Sequence, residues 1–131
     1  MPEKKTHHES GNYSYDRLDR VLHEKARLAI LTSLLAHPDG LRFNELKELC
    51  TLTDGNLSRH LQTLKEEALV EIWKGFENNR PQTLCRLSAQ GRERFLGYLE
   101  ELERVVKQAA EGSANTEAAR VAAIPRGWIR A

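Results

Sequence analysis

Thr53-Asp54-Gly55-Asn56-Leu57-Ser58-Arg59-His60-Leu61-Gln62-Thr63-Leu64-Lys65-Glu66-Glu67-Ala68 is the stretch on which the fold turns. Leu57, Leu61, Leu64 and Ala68 are spaced four, three and four apart, which predicts a helix over 54–67 with a single apolar seam. Thr53 or Asp54 caps its start. With Leu57 at zero and ~100° per residue, Gly55, Asn56, Arg59, Gln62, Thr63 and Glu66 point away from the seam. Ser58, His60 and Lys65 lie on the flanks. Most of that outward face carries hydrogen-bonding side chains of the kinds that recognise base edges. Arg reads guanine O6 and N7, Asn and Gln read adenine N6 and N7, and a Thr methyl meets thymine. Gly55 costs up to ~1 kcal/mol of helix propensity, and its bare backbone would let a phosphate approach the helix start.

Upstream, Asn44 is expected to cap a short helix, Glu45 to Cys50, with Leu46 and Leu49 facing inward. Thr51-Leu52-Thr53 then makes a tight connection to the next helix. Leu41-Arg42-Phe43 is a short extended piece, preceded by the breaker His37-Pro38-Asp39-Gly40. Before it, Ser14 would cap one long helix or two abutting ones running to Ala36, with Tyr15, Leu18, Val21 and Leu22 at helical spacing. Downstream, Val70 to Phe76 alternates as a strand, Glu77-Asn78-Asn79-Arg80-Pro81 forms a longish polar tip, and Gln82 to Leu87 returns as a second strand. Cys85 is expected to face inward and Trp73 to point off the main core. Ser88 caps a final helix to about Ala110, with Phe95, Leu99, Leu102 and Val106 in one stripe widened by Leu96 and Val105. Residues 1–13 read as a flexible arm, 14–111 as the domain and 112–131 as a flexible tail.

The fold class is mainly α with a small β-hairpin. Helix, short strand, short helix, turn, helix, hairpin, helix is the order of a winged helix-turn-helix with flanking helices. In such a unit the helix at 54–67 would enter the major groove of DNA and the wing at 76–82 would rest on the backbone or minor groove. Lys74, Asn78, Asn79 and Arg80 are the wing residues suited to that contact.

The 131 residues are 40% apolar and 30% charged, which suits a globular chain of one domain. Twenty Lys and Arg against nineteen Asp and Glu give a net charge of +1, so a bulk polycation is excluded and any attraction for nucleic acid must be local. No apolar run approaches the ~20 residues that span a bilayer. The N-terminus lacks a secretory leader, which makes the cytoplasm the expected location. Cys50 and Cys85 are too few for a four-cysteine zinc site or a disulfide scaffold. No Gly-rich phosphate loop or nucleophile–base–acid set can be argued from spacing, so no catalytic residues, cofactor or metal are expected.

Several segments together resemble the small winged-helix transcriptional regulators of the MarR and ArsR families. They are Arg27-Leu28-Ala29-Ile30-Leu31, Phe43-Asn44-Glu45-Leu46, Leu52 through Leu61, Leu69 through Phe76, Arg80-Pro81-Gln82-Thr83, and Arg86-Leu87-Ser88 with Gly91-Arg92. The resemblance covers roughly residues 18–103. It implies a prokaryotic cytoplasmic regulator that binds double-stranded DNA as a homodimer, paired through its first and last helices. The DNA contacts it implies are Asn56, Ser58, Arg59, His60, Gln62 and Thr63, with Asn79 and Arg80 on the wing. With Thr53, Gly55, Lys65, Lys74 and Asn78 these make the candidate DNA-binding set. The candidate dimer set is Tyr15, Leu18, Val21, Leu22, Phe95, Leu96, Leu99, Leu102 and Val106. That family usually has Gly where the third helix turns into the wing strand, and this chain has Ala68. A non-Gly residue held left-handed there costs ~1–2 kcal/mol. Glu48-Leu49-Cys50 resembles the start of the ArsR thiolate motif, but no second Cys follows closely.

Two rival readings remain open. Asp54, Glu66, Glu67, Glu71 and Glu77 lie near the proposed DNA face, which suits a winged-helix module that binds protein instead. Cys50, Cys85 or His7-His8 would serve a metal- or redox-sensing repressor. A small-molecule effector is not indicated.

Overall fold

The computed structural model describes residues 18–113, 120 and 123–131. The elements run α1 (Lys25–Ala36), β1 (Leu41–Arg42), α2 (Phe43–Cys50), α3 (Asp54–Glu66), β2 (Val70–Glu77), β3 (Arg80–Leu87) and α4 (Ala89–Gly112). The three strands form one antiparallel sheet in the order β1-β3-β2, in which Leu41 pairs with Cys85 and Val70 with Leu87. The chain divides into two compact units. The one that carries the hairpin and α1–α3 is Arg17–Glu101. Its core is Leu22, Ile30, Leu31, Leu34, Leu46, Leu57, Leu64, Leu69, Cys85 and Phe95, all essentially closed to solvent. These are the winged-helix elements in the expected order.

Helix α3 starts where its cap dictates. The Thr53 hydroxyl accepts a hydrogen bond from the Asn56 amide at 3.1 Å. Its seam is buried as the spacing requires, with Leu57, Leu61 and Leu64 at 0%, 3% and 0% exposure. It ends at Glu66, and Ala68 takes a left-handed backbone with φ of 61°. Ala68 therefore accepts the strain that glycine would avoid. The hydroxyl of Ser88 donates to the Ala68 carbonyl at 2.8 Å and to the Leu69 carbonyl at 3.1 Å, and accepts from the Gly91 amide at 2.8 Å. Gly91 is required here, because a Cβ at that position would sit 2.0 Å from the Leu69 carbonyl oxygen.

Local expectations are corrected in four regions. Between Leu18 and Glu24 the chain turns instead of running as helix. The Asp19 carboxylate accepts from the Val21 amide, and Glu24 caps α1 by accepting from the Arg27 amide at 2.8 Å. Acidic side chains that satisfy nearby amides end a helix or begin the next one. Helix α2 opens at Phe43, ahead of Asn44, because the Glu45 carboxylate accepts from the Arg42 amide at 2.7 Å. Of its two leucines only Leu46 is buried, and Leu49 is 57% exposed. The wing tip is a two-residue turn, shorter than the expected loop. Asn78 and Asn79 both adopt positive φ, 52° and 64°, which matches a type I′ hairpin whose twist fits its strands. On α4 the buried stripe is Phe95, Tyr98 and Val105, while Val106 is exposed. The Tyr98 hydroxyl is 2.7 Å from the His23 ring nitrogen Nδ1, a polar partner that lets tyrosine serve as a core residue.

Residues 1–17, with the expected arm, the Ser14 cap, Tyr15 and His7-His8, lie outside the described residues, as does part of the 112–131 tail. Because the left-handed backbone at Ala68 carries the strain, Ala68→Gly is expected to raise stability by about 0.5–1 kcal/mol, after the added freedom of glycine in the unfolded chain is subtracted. An increased urea midpoint at unchanged slope is the result that checks it.

Candidate nucleic-acid interface

The outer side of α3 is built by the seam beneath it. With the leucines fixed inward, Gly55, Asn56, Ser58, Arg59, Gln62 and Lys65 are exposed and Thr63 is half-buried. Thr53 is exposed at the helix entry, and the space in front of Gly55 is open to 4 Å. The polar side chains lie along the helix in short bonds. The Arg59 guanidinium donates to the Asn56 side-chain oxygen at 3.4 Å, Gln62 donates to the Glu66 carboxylate at 3.0 Å, and the Thr63 hydroxyl donates to the Arg59 carbonyl at 3.3 Å.

His60 departs from this set. It is 5% exposed, with its ring beneath the helix. Nδ1 lies 3.3 Å from an Arg27 nitrogen and 3.9 Å from a Glu24 oxygen, and Nε2 lies 3.5 Å from an Arg59 nitrogen. Burial pushes the imidazole below its ordinary value of 6.5; Glu24 opposes the shift and Arg59 and Arg27 add to it. A neutral His60 is thus the form the fold holds.

The wing stands beside this helix. Along β2, Ile72, Lys74 and Phe76 share one face, opposite Cys85, Thr83 and Pro81 of β3. Ser58, Leu61, Gln62 and Lys65 of α3 meet Ile72, Lys74 and Thr83 of the wing and Phe43 of α2 around one open groove of about 410 Å³. The fold therefore brings four candidate residues, Ser58, Gln62, Lys65 and Lys74, to one cleft. Asn56 and Arg59 extend along α3, while Asn78, Asn79 and Arg80 are exposed at the hairpin tip. The wing is braced near its tip by Arg42, which donates to both carboxylate oxygens of Glu77, at 2.8 and 2.5 Å. That pairing holds the Glu77 carboxyl below its ordinary value. Arg42 was not among the candidates; only the β1–β3 register shows that it can reach across.

The acids near this face are all engaged. Asp54 pairs with Lys47 at 2.8 Å, Glu67 with Arg94 at 3.0 Å, Glu71 with Arg86 at 2.9 Å and Glu77 with Arg42, while Glu66 accepts from Gln62. Trp73, on the opposite wing face, is 54% exposed and lies beneath the Arg86 guanidinium, 5.8 Å from its ring centre.

In the candidate dimer set, Leu18, Leu22 and Phe95 are buried. Val21, Leu96, Leu99 and Leu102 are half-buried, and Val106 is 56% exposed. Cys85 is buried and its thiol is pushed up to about 11 by burial, so it is protonated near neutral pH. Cys50 lies 3.6 Å from the Ser33 hydroxyl.

Comparison with known proteins places this geometry. Residues 26–106 match the family described as winged helix DNA-binding domain. An uncharacterised protein of Methanocaldococcus jannaschii is 35% identical over 88 residues, covering 67% of this chain and 95% of its own. The uncharacterised HTH-type transcriptional regulator YdgJ of Bacillus subtilis is 36% identical over 84 residues, 64% of this chain and 50% of its own. Among solved structures, a transcriptional regulator homologue from Pyrococcus horikoshii superposes with a TM-score of 0.66 at 27% identity, over 70% of this chain and 89% of its own. MarR shares the fold at 22% identity, with a TM-score of 0.61 over 77% of this chain and 72% of its own.

The neutral His60 fixes the sign of one pH effect. Its contribution to stability is complete above pH 6.5 and is lost as pH falls through the depressed folded value. Urea titrations from about pH 7.5 to about pH 5.5 are expected to show stability falling more in the wild type than in His60→Gln.

Proposed function

The chain belongs to the winged helix DNA-binding domain family, and from that membership we propose that it is a sequence-specific transcriptional regulator that binds duplex DNA as a homodimer. The observation that carries this reading is the cleft in which the outward flank of α3 and the wing present Ser58, Gln62, Lys65 and Lys74 together. The names of the Bacillus and Pyrococcus relatives agree with it, since both are described as regulators of transcription. Their bacterial and archaeal sources suit a prokaryotic, cytoplasmic setting.

In this mechanism α3 enters the major groove. Arg59 reads a guanine edge, Asn56 and Gln62 read adenines, and the Thr63 methyl meets thymine. Thr53, Gly55 and Ser58 bring the helix entry to a phosphate, which the free amides and the dipole favour. Lys65 and Lys74 neutralise phosphate beside the cleft, and Asn78, Asn79 and Arg80 carry the hairpin tip onto the backbone or minor groove. His60 supports Arg59 from behind instead of touching DNA. No covalent chemistry is needed, and the Bacillus relative carries the name of a transcriptional regulator.

One helix with a handful of base contacts gives modest affinity, whereas two copies on a two-fold axis read two half-sites about one DNA turn apart. Val21, Leu96, Leu99, Leu102 and Val106 retain exposed apolar surface for that pairing. Leu18, Leu22 and Phe95 support it from within.

Selection of bound duplexes from a random pool is the direct test. A recovered inverted repeat supports the reading, and absence of retained duplex even at low salt overturns it. On a selected site, Arg59→Ala is expected to cost about 1–3 kcal/mol and relax choice at one position, while Arg80→Ala weakens matched and mismatched sites alike. Light scattering at micromolar concentration should return twice the chain mass; the mass of a single chain would refute the pairing.

A further inference from the structure

The wing carries an apolar pair that the DNA reading leaves without a task. Phe76 lies one residue before the end of β2 and is 75% exposed. Its cross-strand partner is Pro81. Both are on the face of the hairpin that also holds Lys74 and Thr83, the two wing residues of the α3 cleft nearest the tip. Moving outward along this face, side chains run from Ile72 and Cys85 at the buried root, through Lys74 and Thr83, to Phe76 and Pro81. A solitary exposed apolar residue is ordinary. A phenylalanine and a proline paired next to a cation, where the remaining tip residues are Glu77, Asn78, Asn79 and Arg80, form a built feature.

The mount is stiff. The two-residue turn at Asn78-Asn79 fixes the strands, and the Arg42–Glu77 pair braces the residue next to Phe76. Two residues along a strand span about 7 Å, which is about two base-pair steps of duplex DNA. If Lys74 meets a phosphate, Phe76 arrives about two steps further along the same duplex. Apolar side chains that reach the minor groove part base steps, and pyrimidine–purine steps yield most easily.

Resting on the DNA-binding reading above, we propose that Phe76, backed by Pro81, is a minor-groove wedge that gives this protein a preference for a deformable base step beside the sequence read by α3. The occupant of this patch is duplex DNA, because the patch continues the same face that carries Lys74 and ends beside Arg80. It adds a specificity determinant that touches no base edge through a hydrogen bond.

The test is parallel selection from one random duplex pool with the full-length wild type and Phe76→Ala. The wild type is expected to recover TA or CA/TG steps at a fixed distance outside the core site, and Phe76→Ala to recover the same core without them. On a wild-type-selected duplex, Phe76→Ala should bind about five- to tenfold more weakly. Its slope of log affinity against log salt should be unchanged, whereas Lys74→Ala should lower that slope by about 0.9. An unchanged thermal midpoint for Phe76→Ala, expected from its exposure, assigns the loss to the interface. Equal affinity and equal flanking enrichment in the two proteins overturn the wedge alone. A weaker Phe76→Ala with no step preference in either protein also overturns it, leaving only packing on sugar. A wild type that retains no duplex overturns the DNA reading and the wedge together.

Discussion

The contact on which the arrangement depends is the close approach of Gly91 to the Leu69 carbonyl. A single methyl group there would stand 2.0 Å from the oxygen, so the backbones of α4 and the wing root touch directly. That oxygen also accepts from the Ser88 amide at 3.0 Å and the Ser88 hydroxyl at 3.1 Å, while the same hydroxyl reaches the Ala68 carbonyl. The end of α3, the first residue of the wing and the first turn of α4 therefore meet within four residues of chain on each side. Any freedom at this point would change the angle between the helix and the hairpin that flank the cleft. The strained backbone at Ala68 is tolerated because the surrounding bonds over-determine it. In the proposed complex, two surfaces that meet one rigid duplex would require such a joint.

Local charge is shaped by subtraction more than by excess. The chain as a whole carries only +1, and five acids lie around the proposed DNA face. Asp54, Glu67, Glu71 and Glu77 each face a cation of the protein itself, and Glu66 is bonded to Gln62. Exposed pairs of this kind contribute little to stability. Their effect is on the field: they cancel negative charge where it would repel phosphate, and Lys65, Lys74 and Arg80 stay outside any ion pair among the described residues. A near-neutral chain can thus keep two cations, Lys65 and Lys74, outside any ion pair among the described residues at the cleft.

The parts that were legible in the sequence are those set by periodicity. The spacing of Leu57, Leu61 and Leu64 placed the seam of α3 and, by rotation, the exposed positions of Asn56, Arg59 and Gln62, whereas Ala68, expected to continue the seam, is exposed beyond the helix end. Alternation placed Cys85 inward and Trp73 off the core. What periodicity does not carry was missed. The turn at Leu18–Glu24 is made by Asp19 and Glu24 capping nearby amides, and by Arg94 reaching Asp19 from 75 residues away at 2.6 Å. His60 lies on the flank of the helical wheel, so its burial was decided by Glu24 and Arg27 on another segment. The need for glycine at 91 leaves no local signal, because its reason is a carbonyl 22 residues earlier in the chain. The tight tip was hidden for a different reason: asparagine tolerates positive φ, and two in succession permit a turn that five polar residues also permit as a loop.

The hydrogen bonds along the outside of α3 bear on how recognition would work. Arg59 rests on Asn56 and Gln62 on Glu66, so each reading group already has a partner and must exchange it for a base edge. A correct base replaces the bond that was given up. A wrong base leaves both the protein group and the base unpaired, and an unmade buried hydrogen bond costs far more than a made one gains. Intrahelical partners of this sort therefore lower affinity for every site by a similar amount and leave the difference between sites intact. Few unpaired cations act in the same direction, since sequence-independent attraction grows with the number of phosphates neutralised. On the proposed reading, a subunit built this way would bind weakly and selectively, and two copies on one stretch of DNA would supply the strength.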